Sequence, residues 1–108
     1  MKDKGTSIQY IKDLAKKFIT ERNWEKFHTD SNIAKSICLE AAELLEHYQW
    51  DDPRPKHVGE HNDEAVKELA DIIIYSLHFA NNNNIDIATV VEKKLKEVEL
   101  RHPIKWDQ

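Results

Sequence analysis

Apolar residues recur at three- and four-residue intervals along most of this chain, and that spacing predicts amphipathic α-helices. Four such segments alternate with polar or proline-containing stretches. The predicted helices cover about residues 8–22, 30–50, 64–80 and 87–101. In the first of them, Lys12 falls among the polar positions that are expected to face water, opposite the apolar stripe.

Residues that favour helix starts and stops stand at the predicted boundaries. The candidate N-caps or first residues are Thr6 or Ser7, Asp30 or Ser31, Asn62 or Asp63, and Asp86. Four consecutive asparagines at 81–84 predict a left-handed stop after the third helix. Four helices in 108 residues predict an all-α, four-helix bundle-like protomer, with one domain over residues 1–108.

Two connecting segments carry candidate binding residues. The stretch 23–29 is short and aromatic and predicts a structured turn, in which Trp24 and Phe27 either pack on the core or wall an aromatic pocket that stacks a base. The stretch 51–61 is long for a link in a helical domain. Its Arg54 and Lys56 either belong to a plain solvated loop or reach a phosphate.

Two pairs of acids share the same spacing on different helices. Glu40 and Glu43 stand three residues apart, and so do Glu68 and Asp71, which places each pair on one helix face. Asp71 also opens a strongly apolar run, where a carboxylate is expensive unless it is paired or bound to a cation. If the two helices pack antiparallel, four carboxylates converge, and a set of oxygen ligands suits Mg²⁺ or Mn²⁺.

Composition narrows the classes of partner. The formal charge of −4 argues against binding a nucleic-acid polymer. No apolar run is long enough to cross a membrane or to act as a signal peptide, and the single Cys38 fits a reducing cytoplasm. Because the core of so short a helical chain is modest, association with further copies is expected.

Spacing alone leaves open a non-catalytic reading of the acids. Glu is common on helices, so both pairs also suit the solvated surface of a helical oligomerisation module. Thermal melting with and without divalent metal distinguishes the two interpretations. Only a protein with a cation-binding site is expected to melt at a higher temperature when the metal is added.

A longer pattern of residues favours the metal-dependent interpretation. Trp24-Glu-Lys-Phe27-His28, then Glu40-Ala-Ala-Glu43, and later Glu68-Leu-Ala-Asp71 resemble the motifs of the MazG-like nucleotide pyrophosphohydrolases. The similarity extends over roughly residues 8–103 and is greatest to the short branch that includes dCTP pyrophosphatase. The resemblance implies an all-α fold, a homodimer or homotetramer, and cleavage of nucleoside triphosphates between the α and β phosphates.

The resemblance also implies roles for individual residues. Its Mg²⁺ ligands match Glu40, Glu43, Glu68 and Asp71, and its base- or sugar-proximal positions match Trp24, His28 and Trp50. Lys94 matches a lysine of the last helix and is a candidate phosphate contact. The chain departs from the family at three positions that bear on base preference more than on the reaction, namely Ala15, Leu39 and Val98.

A chemical hypothesis follows for the acids. Cations between them reverse the local field and let a negative cavity accept a polyphosphate. We expect Glu43 to orient or deprotonate the attacking water. A related hydrolase that acts on dUTP or on phosphoribosyl-ATP is the alternative within the same reaction class.

Overall fold

A computed structural model describes residues 1–50 and 63–105. These residues form four α-helices: α1 (Ile8–Glu21), α2 (Asp30–Glu46), α3 (Asp63–Asn82) and α4 (Ile87–Arg101). Two short 3₁₀ turns, Asp3–Gly5 and Glu25–Phe27, precede α1 and α2. The described part of the chain contains no strand, and the predicted all-α class is confirmed.

Side-chain caps begin three of the helices. The Ser7 hydroxyl and the Asp86 carboxylate accept backbone hydrogen bonds at the starts of α1 and α4, as their sequences predict. The side chain that caps α2 is Thr29, and the helix begins at Asp30, one of its two predicted first residues. Asp30 is therefore in the first turn, where its negative charge suits the helix dipole.

The ends of α2 and α3 differ from the predicted ones. The prediction that α2 continues to Trp50 is wrong, because the amides of His47 and Tyr48 bond to carbonyls three residues back and tighten the chain into a turn. In contrast, α3 continues to Asn82. Asn84 then adopts a φ of 53°, which confirms the left-handed stop in the asparagine run.

Helices α2 and α3 pack antiparallel. At one end, the Asn82 amide donates to the backbone oxygen of His28 at 2.7 Å, just before α2 begins. At the other end, His47 Nε2 lies 3.6 Å from Glu68 Oε1, near the start of α3. Between these contacts Ile33 is 1% exposed, and the other buried apolar side chains are Ile19, Ala65, Leu77 and Ala80.

Lys12 attaches α1 to the other helices rather than facing water. Its Nζ donates to the Ile85 carbonyl oxygen at 2.7 Å, and its own carbonyl accepts from the Asn81 amide at 2.9 Å. The expectation that Lys12 is solvated is therefore wrong. A lysine can bury its aliphatic stem while its charged end finds a backbone acceptor, and helical periodicity does not reveal that acceptor.

Helix α4 adds no buried side chain to the core of this protomer. Its apolar residues, among them Leu95 and Leu100, remain 64% and 85% exposed. Of the four described helices, α1, α2 and α3 form the packed part of the chain. None of the described helices has the length and apolar content needed to span a bilayer.

Candidate metal centre and adjoining cavity

Three acids from two helices meet at one point. Glu40 on α2 and Glu68 and Asp71 on α3 each offer a carboxylate oxygen, and these oxygens lie within 4.8 Å of one another. All three side chains are half-buried. The antiparallel packing of α2 on α3 brings the two helix faces together. Glu43, one turn along α2 from Glu40, is exposed at the edge of this cluster.

Glu40 is the member of the cluster whose carboxylate is the least well partnered. Its Oε2 atom is buried and finds no hydrogen-bond donor in the described part of the chain. Burial raises the pKa of Glu40 to about 7, with further contributions from hydrogen bonding to Glu68 and Glu43 and from the charges of Glu43 and Asp71. Neighbouring carboxyl groups can hydrogen-bond only by sharing a proton, so the cluster favours a protonated Glu40 when no cation is bound.

The donor set fits a divalent cation. The three ligand atoms that converge are all carboxylate oxygens, and hard cations prefer such ligands. A cation there gives the orphaned oxygen of Glu40 a partner and removes the repulsion among the acids. Glu40, Glu68 and Asp71 could therefore hold a metal ion, with Glu43 close enough to interact with Glu40.

His47 is a neighbour of the acids that the sequence analysis missed. Its Nε2 is 3.6 Å from Glu68 Oε1, and both side chains are largely buried. The imidazole therefore lies next to the Glu68 carboxylate, in a position from which an outer group can help to orient a metal ligand. The sequence spacing could have revealed this neighbour, because His47 stands seven residues after Glu40 and so falls on the same helix face.

A cavity of about 630 Å³ adjoins the acids between α1 and α3. Asp71 lies in its wall, which connects it directly to the cluster. Its lining is mainly apolar, with the aromatic rings of Trp24 and Tyr75 and the imidazoles of His28 and His78 among it. Trp24 and His28 line this cavity, whereas Phe27 does not, and the role of Trp24 in stacking a base stays a prediction.

Comparison with known proteins places the chain in a family. The model of the MazG-like family matches residues 35–108, which is more than half of the chain and contains all four acids. The chain belongs to the MazG-like family. The family resemblance drawn from the sequence motifs is confirmed.

Relatives of this MazG-like chain include mammalian dCTP pyrophosphatase 1. The protein from Bos taurus is 30% identical over 102 residues, which cover 91% of this chain and 60% of the relative. The protein from Homo sapiens is 30% identical over 101 residues, which cover 90% and 59%. The MazG-like chain therefore spans about 60% of the length of these curated relatives.

A solved structure supports the fold of the MazG-like chain. A pyrophosphatase from Archaeoglobus fulgidus superimposes with a TM-score of 0.77 at 31% sequence identity. The match covers 90% of this chain and 93% of the archaeal one. The two folds therefore match over nearly the whole length of both chains.

Two predicted substrate contacts are not brought to the cavity. Trp50 is 89% exposed at the end of the turn after α2 and does not line the cavity. Lys94 is exposed on α4, where its Nζ lies 3.5 Å from Glu97 Oε1. Their roles in binding stay predictions. The predicted loop residues Arg54 and Lys56 lie outside the described residues.

Proposed function

We propose that this chain hydrolyses nucleoside triphosphates between the α and β phosphates, releasing a monophosphate and pyrophosphate. Mg²⁺ is the proposed cofactor, with Mn²⁺ as a substitute, and Glu40, Glu43, Glu68 and Asp71 are the proposed ligands. The names of the mammalian relatives and of the archaeal structure support a pyrophosphatase activity. The deoxyribonucleotide dCTP is the first substrate to test.

One observation carries the proposal more than any other. The carboxylates of Glu40, Glu68 and Asp71 converge beside a cavity large enough for a nucleoside, and a buried oxygen of Glu40 has no hydrogen-bond partner within residues 1–50 and 63–105. A surface oligomerisation module does not need buried, mutually repelling acids, because the same residues are cheaper in solvent. A polyphosphate site that works through bound cations uses such acids to hold the metal ions.

Different residues of the site interact with the phosphates and with the nucleoside. A bound Mg²⁺ would neutralise phosphate charge and make a water molecule more acidic. Glu43 is exposed at the edge of the cluster, where it can accept a proton from the attacking water while Glu40 stays buried. The nucleoside lies in the cavity, where Trp24 and His28 contact the base or sugar.

The direct test is a substrate panel with purified protein, Mg²⁺ and deoxy- and ribonucleoside triphosphates. We expect pyrophosphate and the matching monophosphate in equal amounts, with dCTP among the accepted substrates. Anion-exchange chromatography separates this outcome from release of inorganic phosphate. Chelation of the metal should remove the activity, and adding Mg²⁺ or Mn²⁺ should restore it.

The same panel distinguishes the alternatives. Turnover of dUTP alone, or of phosphoribosyl-ATP rather than nucleoside triphosphates, would assign the chain to a related hydrolase. Absence of turnover together with an unchanged melting temperature in millimolar Mg²⁺ and Mn²⁺ would favour the oligomerisation module.

Self-association is a further part of the proposal. The radius of gyration is 17.1 Å, whereas a compact chain of this length has about 13 Å. The exposed apolar side chains of α4 give a surface that a second copy can cover. We expect light scattering to give a homodimer or homotetramer of the 12.7 kDa chain, and a monomer at micromolar concentration would contradict it.

A cytoplasmic location stays part of the proposal as well. Cys38 is free and exposed, as suits a reducing compartment.

A further inference from the structure

His78 is a buried histidine that the proposed reaction does not use. The residue is 6% exposed, near the C-terminal end of α3, and lines the cavity between α1 and α3. Within the described part of the chain, no hydrogen bond to its imidazole is found. The imidazole therefore has little access to water and no hydrogen-bond partner among the described residues, so a ligand in the cavity can supply one.

Two neighbouring rings hold His78 in place. His28 meets it edge to face, with ring centroids 5.1 Å apart and an interplanar angle of 74°. Tyr75 meets it in the same manner at 6.1 Å. These are edge-to-face ring contacts rather than hydrogen bonds. They restrict the rotation of the imidazole and leave its hydrogen-bonding capacity unused.

His28 is itself anchored and so cannot easily turn away. Its Nδ1 lies 2.9 Å from the Trp24 carbonyl oxygen, and a carbonyl only accepts, so Nδ1 carries the hydrogen. The backbone oxygen of His28 also accepts from Asn82. The three rings of His28, Tyr75 and His78, here called the ring cluster, are therefore a pre-organised part of the cavity wall.

The imidazole of His78 is uncharged at neutral pH. Burial lowers its pKa, and the nearby charge of His28 lowers it further. A neutral imidazole presents one donor and one acceptor. It therefore suits the uncharged polar edge of a nucleobase rather than a phosphate group, which prefers a cationic partner.

We propose that His78 is a specificity-determining residue, whose imidazole hydrogen-bonds the polar edge of the base in the cavity and so sets which base is preferred. The inference rests on the proposed function only in taking a nucleotide as the ligand. Ala15, on the facing helix α1, also lines the cavity and leaves room beside the ring cluster. Because most of the remaining cavity lining is apolar, few groups besides His28 and His78 can distinguish bases of similar size by hydrogen bonding.

Binding measurements test the proposal separately from turnover. The probes are α,β-imido deoxynucleoside triphosphates of the four bases, titrated calorimetrically in Mg²⁺ into the wild type and His78→Leu. We expect the wild type to prefer one base, and the ratio of its best to its worst Kd to shrink by about tenfold or more in His78→Leu. The loss should fall on the preferred base.

Conservative variants locate the nitrogen that makes the contact. An Asn amide approximates the position of Nδ1 and a Gln amide that of Nε2, so one of His78→Asn and His78→Gln should restore part of the preference. Both also keep the test available if His78→Leu does not fold. His102→Leu, an exposed histidine at the end of α4, is the matched control and should keep the wild-type ratio.

Each outcome of these measurements supports or overturns the specificity role of His78. Equal weakening of all four probes in the folded His78 variants, or a wild type that binds the bases equally or not at all, overturns the specificity role. If binding is selective and His78-dependent but no triphosphate is hydrolysed, the proposed reaction fails while the inference stands.

Discussion

Replacing Glu40 with Gln is expected to lower kcat/KM by more than about a hundredfold. The same change should stabilise the metal-free protein at pH 8, with a rise in Tm of about 5 °C. Both effects follow from the buried Oε2 atom, which has no hydrogen-bond donor in the described part of the chain. Gln cannot serve as a carboxylate ligand, yet its neutral amide is easier to bury beside Glu68.

The stabilising effect has a definite pH dependence. The pKa of Glu40 is raised from 4.5 to about 7, so between these values the folded state binds a proton that the unfolded state releases. The free energy of unfolding therefore falls as pH rises through this window. The gain from E40Q should be complete above pH 7 and nearly absent below pH 4.5.

Calorimetric melting from pH 4 to 8, with and without Mn²⁺, checks this prediction. The wild type should gain stability from the metal, whereas E40Q should gain little. Glu46→Gln is the matched control, since Glu46 lies on the same helix but is exposed. An E40Q protein that is destabilised at pH 8 and still stabilised by Mn²⁺ would show that Glu40 is not a ligand.

Replacing Glu43 with Gln is expected to nearly abolish turnover while the fold stays intact. Glu43 is exposed at the edge of the acids, so its loss leaves Glu40, Glu68 and Asp71 in place. If its carboxylate orients or deprotonates the attacking water, the loss is about a hundredfold to ten-thousandfold in kcat. KM should change much less.

Steady-state kinetics with dCTP in Mg²⁺ gives this result, and melting in Mn²⁺ accompanies it. Retained thermal stabilisation by Mn²⁺ in E43Q would separate a role in the chemical step from a role in binding the metal. Activity near that of the wild type would rule out Glu43 as the residue that activates water. E46Q again serves as the control, because it removes an exposed charge one turn further along α2.

The helices were largely predictable because their signals are local. Ser7 and Asp86 cap α1 and α4 as expected, and Asn84 adopts the expected left-handed conformation just after α3 ends. The end of α2 was missed, because His47–Trp50 continues the helical pattern although its backbone has already tightened into a turn. Periodicity reports which face a residue would occupy and does not report where the backbone leaves the helix.

The candidate site was predictable in its residue types and less so in its arrangement. The i, i+3 spacing places Glu40 with Glu43, and Glu68 with Asp71, each pair on one face. It cannot distinguish Glu40, with its buried oxygen, from the exposed Glu43. That difference depends on how deeply α2 sits against α3, and the same depth raises the pKa of Glu40.

By itself the sequence determined the helical class, the positions of most caps and the two acid-bearing faces, since each depends on residues only a few positions apart. Only the tertiary structure decided which acids meet, that Lys12 is buried against the Ile85 carbonyl, and that His78 lines a cavity beside Asp71. These features join residues far apart in the chain. They depend on how the helices pack against one another, and the spacing of apolar residues within one helix does not specify that packing.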